Sequence, residues 1–222
     1  MEYWNEEQKL LAQTVSDFAA KELGPKAEAL DDAESFNLDA FKAMAPLGLL
    51  GVLAPEELGG AALGCVEATL VMEKLAEQCA STTLSYLAHT ILCVNNLTEN
   101  ASPEQKKKYL PNLIAGKTIG GMGMTEPGAG SDMLGMQTKA ERKGNKFILN
   151  GTKTYITNGP IGDVFVVYAR TGSEKKEIST FIVEKGFPGF KTGKKLKKMG
   201  MRASHRGTDF RQLRSTGGEP RR

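Results

Sequence analysis

Apolar residues in the first 118 positions of the chain recur at helical spacing. Steps of three and four residues place one set on a single buried stripe of a first helix: Leu10, Leu11, Val15, Phe18 and Ala19. Asn37 is a typical N-cap residue and predicts a second, short helix. Residues 66–80 and 82–97 predict two more helices, and the second is apolar enough to lie at the centre of a bundle. Ser102 predicts the start of a further helix that Pro111 ends or bends.

The pattern changes to strand spacing after Gly116. Residues 146–157 hold two β-rich runs joined by Asn150-Gly151, the strongest short-range hairpin signal. Residues 163–170 and 178–185 predict further short strands. Because strands follow helices without βαβ alternation, the sequence predicts an α+β fold and argues against a Rossmann sheet. We expect an N-terminal helical domain over 1–118 and a mainly antiparallel, incomplete β domain over 119–204.

The composition changes again in the last 18 residues, 205–222. They hold five Arg and no Lys, whereas the preceding 204 residues hold three Arg and 21 Lys. One interpretation is a disordered basic tail. The other is that these residues are not the native continuation of the chain.

Overall composition excludes several classes of protein. The net charge of +3 is too small to indicate nucleic-acid binding. Three widely spaced cysteines fit neither a disulfide framework nor a zinc site, and we expect no metal. The acidic N-terminus lacks the apolar stretch of a signal peptide, and no apolar run reaches the ~20 residues of a membrane span. We expect a soluble cytoplasmic protein.

A glycine-rich stretch at residues 120–133 reads GGMGMTEPGAGSDM. It lacks the lysine of a phosphate-binding loop and does not have the strand-to-helix setting of a dinucleotide-binding turn. Small side chains permit a ligand to approach this backbone closely. The alternative is a Gly-Pro surface loop between two domains.

Several segments of the chain resemble those of the acyl-CoA dehydrogenase family, in the same order. They read PEELGG, PEQKKKYLPNLIAGK, MGMTEPGAGSD, NGTKTYITNG and TFIVEKGFPGFKTGKKLKKMGMRAS. The resemblance extends over residues 6–204. FIVEKG and KKLKKMGMRAS are most similar to isovaleryl-CoA and short branched-chain members of the family.

The resemblance implies an FAD-dependent oxidoreductase that acts on a CH–CH bond. The implied reaction is α,β-dehydrogenation of an acyl-CoA thioester to the 2-enoyl-CoA, in fatty acid or branched-chain amino acid catabolism. Electrons then pass to an electron-transfer flavoprotein. Full-length members are expected to be homotetramers, an assembly that we do not expect for this chain. A eukaryotic member belongs in the mitochondrial matrix, although no transit peptide is seen.

The resemblance also implies that residues 122–131 form one wall of the flavin site. The expected cofactor contacts come from Met122, Gly123, Met124, Thr125, Gly130 and Ser131. Thr125 bonds the pyrimidine side of the flavin. Ser131 contacts both the flavin phosphates and the bound acyl-CoA.

A second set of implied flavin contacts is Tyr155, Ile156 and Thr157. The Thr157 hydroxyl is expected at the flavin N5, the atom that accepts hydride. Tyr155 replaces the tryptophan that usually covers the ring, and as a flat side chain with a polar tip it suits that role; its alternative is a core aromatic. Lys175 lies near a position that contacts CoA phosphates, or else in a solvated turn. We interpret His89 as a core histidine and not as a ligand.

No catalytic residue is nominated from this chain. In the family, the glutamate that removes the α-proton lies in a C-terminal helical domain, and this chain ends before that domain. Glu126 belongs to the flavin loop, and we do not assign it the role of the base. We expect the chain alone to be inactive; the alternatives are a truncated remnant with residual flavin or CoA binding and a related flavin oxidase or monooxygenase. Our hypothesis for the tail is a one-base frame shift near Ser204.

Overall fold

Helices make up the first half of the chain. The computed structural model describes residues 4–174, 177–193, 195–204, 206–207 and 213–215. Its helices are α1 (Glu6–Glu22), α2 (Ala27–Asp32), α3 (Leu38–Ala43), α4 (Cys65–Ala76), α5 (Ala80–His89), α6 (Asn96–Asn100) and α7 (Pro103–Ile114). A π-helical segment, Thr90–Asn95, joins α5 to α6. No helix in the described ranges has the length and hydropathy of a membrane span.

Two predicted helix starts are confirmed. The Asn37 side chain accepts a hydrogen bond from the backbone N–H of Ala40 and caps α3. The Ser102 side chain caps α7 in the same way. Of the two outcomes predicted for Pro111, an end of α7 is wrong, because the helix continues to Ile114. A bend there stays a prediction. A proline removes only one N–H from the helical ladder, and the buried residues that follow Pro111 keep this turn packed.

The predicted stripe on α1 is only partly correct. Val15 and Ala19 are fully buried, but Leu10 is 70% exposed. The buried stripe instead begins at Ala12. Leu10 lies on nearly the opposite side of the helix, because two residues turn an α-helix by about 200°. Helix α1 packs this stripe against α4.

Strands make up the second half of the chain. They are β1 (Gly120–Gly123), β2 (Lys139–Lys143), β3 (Lys146–Asn150), β4 (Ile156–Thr157), β5 (Val164–Arg170), β6 (Ile178–Glu184), β7 (Arg206–Gly207) and β8 (Leu213–Ser215). Six form one sheet in the order β1-β5-β2-β3-β8, with β6 also paired to β5, and β4 pairs with β7. Strand β1 is parallel to β5, whereas β6 runs antiparallel to β5. The predicted α+β fold, with helices first and a mainly antiparallel sheet second, is confirmed.

The predicted hairpin at Asn150-Gly151 is wrong. The hairpin joins β2 to β3 through Gly144 and Asn145, and Gly144 has a φ of +62°. Neither Asn150 nor Gly151 has the positive φ that a type I′ turn requires. A Cβ on Gly151 would lie 2.2 Å from the Thr138 hydroxyl oxygen, so this glycine serves a close approach and not a turn.

Part of the predicted tail is described, and there it forms strands. Arg206–Gly207 pairs with β4, and Leu213–Ser215 pairs with β3. At these five positions the chain therefore differs from the disorder that composition predicts. The rest of 205–222 lies outside the described residues. The three domain bounds drawn from the sequence remain predictions.

A polar cluster joins the helical half to the end of the β half. Asp31, in α2, accepts hydrogen bonds from the Arg202 guanidinium at 2.7 Å and from the backbone N–H groups of Arg202 and Ala203 at 2.6 and 3.3 Å. Arg202 also donates to Asp32 at 2.8 Å. The adjacent guanidinium lowers the pKa of Asp31 to about 2, so the carboxylate keeps its charge at neutral pH.

Candidate cofactor site

The two predicted flavin-contacting segments lie side by side. Beyond the end of β1, the carbonyl oxygen of Thr125 accepts a hydrogen bond from the backbone N–H of Thr154 at 2.8 Å. Nearer the start of β1, a Cβ on Gly121 would lie 3.0 Å from the carbonyl oxygen of Thr157. Glycine at this position lets the two backbones approach closely. Segments more than 25 positions apart in the sequence thus form one surface.

The first residue of β1 is held from both sides. The N–H of Gly120 donates to His89 Nδ1 at 2.9 Å, and the Gly120 carbonyl accepts from Asn158 Nδ2 at 3.0 Å. Asn158 also donates to the Ser85 carbonyl oxygen at 2.9 Å. His89 is fully buried, and this burial lowers its pKa to about 4. The ring is therefore neutral, and His89 is a hydrogen-bonded core residue, as the sequence suggested.

The loop after β1 is closed by a tight turn. Glu126 and Ala129 exchange backbone hydrogen bonds of 3.0 and 3.2 Å around Pro127-Gly128. Ala129 is buried, whereas Gly130 and Ser131 are exposed. A Cβ added at Gly128 or Gly130 would meet no atom within 4 Å. The bare backbone thus faces open space, which a ligand can enter.

The predicted site residues differ in exposure. Met122, Met124, Thr125 and Thr157 are half-buried, Gly130, Ser131 and Tyr155 are exposed, and Gly123 and Ile156 are buried. The Ile156 side chain packs in the core of the β half, so only its backbone is available to a cofactor. Lys175 lies outside the described residues, and its role remains a prediction. Within the described ranges, no group of three His, Cys, Asp or Glu side chains could hold a metal ion.

Tyr155 has an unusual backbone conformation. Its φ is +58°, a left-handed region that non-glycine residues rarely adopt, and its side chain is 60% exposed. The next side chain, Ile156, is buried, so the strained residue is anchored by a packed neighbour. The alternative of a core aromatic is excluded by this exposure. Strain of this kind concentrates at functional sites and points to a role for the exposed ring.

Polar groups along both segments have no partner in the described part of the chain. The hydroxyls of Thr125, Ser131 and Thr157 make no hydrogen bond to any described residue. The backbone N–H groups of Thr125, Gly130 and Ser131 likewise donate to no described acceptor. A cofactor with a polar ring edge and phosphates needs donors of this kind. The donor set therefore fits a flavin dinucleotide.

One contributor to the site gave no sequence signal. Lys153 is fully buried, and its Nζ donates to Glu126 Oε1 at 2.8 Å and to the Met124 carbonyl oxygen at 2.9 Å. A lysine close to an Asn-Gly pair is typical of a solvated turn, so pattern alone does not single it out. Burial raises the pKa of Glu126, but the hydrogen bonds from Lys153 and two backbone N–H groups outweigh it and hold that pKa below its ordinary value. Glu126 is thus an ion-paired carboxylate and not a general base.

Comparison with known protein families decides the classification. The profile for the acyl-CoA dehydrogenase N-terminal domain matches residues 5–117, and the profile for the middle domain matches residues 121–213. The chain belongs to the acyl-CoA dehydrogenase family. Mitochondrial isovaleryl-CoA dehydrogenase of Pongo abelii is 50% identical over 207 residues, which are 90% of this chain and 49% of that protein. The chain thus spans about half the length of this curated relative.

Solved structures of family members have the same fold. A glutaryl-coenzyme A dehydrogenase in complex with glutaryl-CoA is 34% identical with a TM-score of 0.92, over 96% of this chain and 55% of that one. An acyl-CoA dehydrogenase of Bacillus anthracis in complex with FAD is 36% identical with a TM-score of 0.89, over 99% of this chain and 39% of that one. FAD is the cofactor of this family, as the sequence predicted.

Proposed function

We propose that this chain carries the flavin- and thioester-contacting part of an FAD-dependent acyl-CoA dehydrogenase. The reaction is α,β-dehydrogenation of an acyl-CoA thioester to the 2-enoyl-CoA, and bound FAD supplies the hydride acceptor. The observation that supports this most strongly is the attachment of the segment that begins at Met124 to Lys153 and Thr154, directly before Tyr155. The hydroxyls of Thr125, Ser131 and Thr157 have no described partner there.

The residues of the two segments would bind and orient the flavin. Thr125 offers its hydroxyl and N–H to the pyrimidine side, and Thr157 offers its hydroxyl to the edge that carries N5. Ser131 serves the phosphates and the acyl-CoA. Donors fixed before the ligand arrives cost no reorganisation during reaction, which is why a hydrogen-bonded backbone suits this task. Tyr155 would cover one part of the ring and keep water from it.

The α-proton needs a separate base. Glu126 is excluded by its ion pair with Lys153 and by its acceptance of the Gln137 N–H at 2.6 Å and the Thr138 N–H at 3.0 Å. On the family resemblance, we assign proton removal to a carboxylate outside the described residues. The chain alone is expected to bind but not to turn over substrate.

The substrate class follows from similarity. Half of the matched residues are shared with an isovaleryl-CoA dehydrogenase, which favours a short branched-chain acyl-CoA. An electron-transfer flavoprotein as acceptor and a homotetrameric full-length protein complete the proposal. A cytoplasmic or mitochondrial-matrix location remains a prediction.

The proposal is tested by isothermal titration of FAD into the full chain. Thr157→Val should weaken FAD binding about five- to tenfold, the effect of one lost hydrogen bond. Thr180→Val changes a threonine of similar exposure on β6 and should leave the affinity unchanged. Equal affinity of the Thr157→Val variant and the wild type would remove Thr157 from the site, and no binding by the wild type would contradict the proposal.

A further inference from the structure

The buried pair Lys153–Glu126 connects three separate pieces of the chain. Lys153 Nζ contacts Glu126 Oε1 at 2.8 Å and the Met124 carbonyl oxygen at 2.9 Å. Glu126 also accepts the backbone N–H of Gln137 at 2.6 Å and that of Thr138 at 3.0 Å. The side chains of Lys153 and Glu126 are only 1% and 5% exposed. A buried ion pair with extra hydrogen bonds fixes geometry, because breaking either contact leaves a charge without compensation.

The pair links the two proposed flavin-contacting segments. Glu126 follows Thr125 in the chain, and Lys153 precedes the Thr154 whose N–H binds the Thr125 carbonyl at 2.8 Å. Two successive carbonyls of the first segment, those of Met124 and Thr125, are therefore held by the two residues that directly precede the second segment. This fixes the spacing between Thr125 and Tyr155.

The bond from Lys153 also fixes the direction of a neighbouring donor. The carbonyl of Met124 and the N–H of Thr125 belong to one peptide unit, and a trans peptide is planar with these groups pointing in opposite directions. The carbonyl points at the buried ammonium. The Thr125 N–H therefore points away from it, and it donates to no described residue.

We propose that Lys153 and Glu126 are positioning residues that present the Thr125 N–H, and with it the loop of residues 125–131, to the flavin. This inference rests on the proposed function. Neither residue needs to touch the cofactor, since Lys153 acts through the Met124 carbonyl and Glu126 acts by holding Lys153. Glu126 is thereby assigned a role that differs from acid–base catalysis.

The test compares Lys153→Met, the double change Lys153→Met with Glu126→Gln, and the wild type. The double variant removes both charges, so it should recover part of the folding stability that Lys153→Met loses. Its affinity for FAD should nevertheless stay at least tenfold below that of the wild type, because the Met124–Thr125 peptide is no longer held. Lys74→Met removes another mostly buried, ion-paired lysine, on α4, and should leave FAD affinity unchanged.

A second readout follows single amide protons by hydrogen exchange in the full chain with and without FAD. FAD should slow exchange at Thr125 in the wild type and should do so less in the double variant. A double variant with partly restored stability, wild-type FAD affinity and wild-type protection of Thr125 would show that the pair only stabilises the fold and would overturn the inference. A wild-type chain that binds no FAD would overturn the proposed function itself, and the inference with it.

Discussion

The backbone N–H of Thr154 donates to the carbonyl oxygen of Thr125 over 2.8 Å, and this bond joins the two parts of the proposed flavin site. One part follows an edge strand of the sheet, and the other follows the β2–β3 hairpin. Neither part is a regular element at this point, yet both are held by buried groups. The site is therefore a loop surface that hydrogen bonds attach to buried residues.

Removal of one partner of the ion pair beneath this surface should be strongly destabilising. Lys153→Met leaves the Glu126 carboxylate buried without a counter-ion, and the expected loss in free energy of unfolding is about 3–5 kcal/mol. Chemical denaturation measures this loss. The added change Glu126→Gln removes the uncompensated charge and should return part of the loss. The return is only partial because Gln137 and Thr138 donate to different carboxylate oxygens, and an amide has a single acceptor oxygen. A Lys153→Met variant as stable as the wild type would contradict the expected cost of an unpaired Glu126 carboxylate.

Protonation of His89 should make stability depend on pH. Its pKa falls to about 4 in the folded chain because the ring is buried, whereas the ordinary value is 6.5. Between these values the unfolded chain binds a proton that the folded chain excludes, so stability falls as the pH drops from 6.5 to about 4. The loss over this window is about 3 kcal/mol.

Denaturation curves collected across this pH window test the role of His89. His89→Gln should be less stable than the wild type at pH 7 because packing is lost, but the difference should shrink as the pH falls. A difference between the two proteins that stays constant with pH would show that His89 does not carry this dependence.

The left-handed backbone of Tyr155 should lower the stability of the fold, whereas its exposed ring should strengthen FAD binding. Asparagine tolerates the left-handed conformation better than tyrosine, so Tyr155→Asn should raise the free energy of unfolding by about 1 kcal/mol. The same change removes the exposed ring and should weaken FAD binding. Tyr155→Phe keeps both the backbone strain and the flat cover, and it should match the wild type in thermal denaturation. A Tyr155→Asn variant that loses stability would mean that the exposed ring has packing contacts of its own.

The Asp31–Arg202 contact should hold the end of the β half against α2. Asp31→Asn removes the charge that Arg202 binds, and exchange of the Arg202 and Ala203 amide protons should become faster. Because the folded-state pKa of Asp31 is about 2 against an ordinary 3.8, the protection should be complete above pH 3.8 and decline as the pH falls toward 2. Unchanged exchange in Asp31→Asn would show that the segment is held by other contacts.

Sequence patterns located the elements with regular spacing. They failed where tertiary contacts determine the role of a residue. Strands β5 and β6 were predicted, because their β-rich runs are bounded by polar turns. The Asn150-Gly151 hairpin was wrong, since Gly151 is required by the proximity of Thr138 and not by a turn. Leu10 was placed on the buried stripe by spacing alone, although only Ala12, Val15 and Ala19 are buried on α1.

The candidate site likewise contains residues that the sequence predicts and residues that it does not. The resemblance singled out Thr125, Ser131 and Thr157, and the structure leaves their hydroxyls without a described partner. Lys153 was missed because its role depends on a carbonyl 29 residues earlier in the chain. The positive φ of Tyr155 was likewise invisible, since tyrosine gives no sequence signal for a left-handed backbone.

The most direct test of the central claim is a titration of the isotope-labelled chain with FAD, followed by amide chemical shifts. This measurement detects weak binding and needs no turnover. We predict that the largest shifts fall on Thr125, Gly130, Ser131 and Thr157. Shifts confined to another surface, such as the cleft lined by Lys108, Tyr109 and Glu184, or no shifts at millimolar FAD, would contradict the assignment of these two segments as the flavin site.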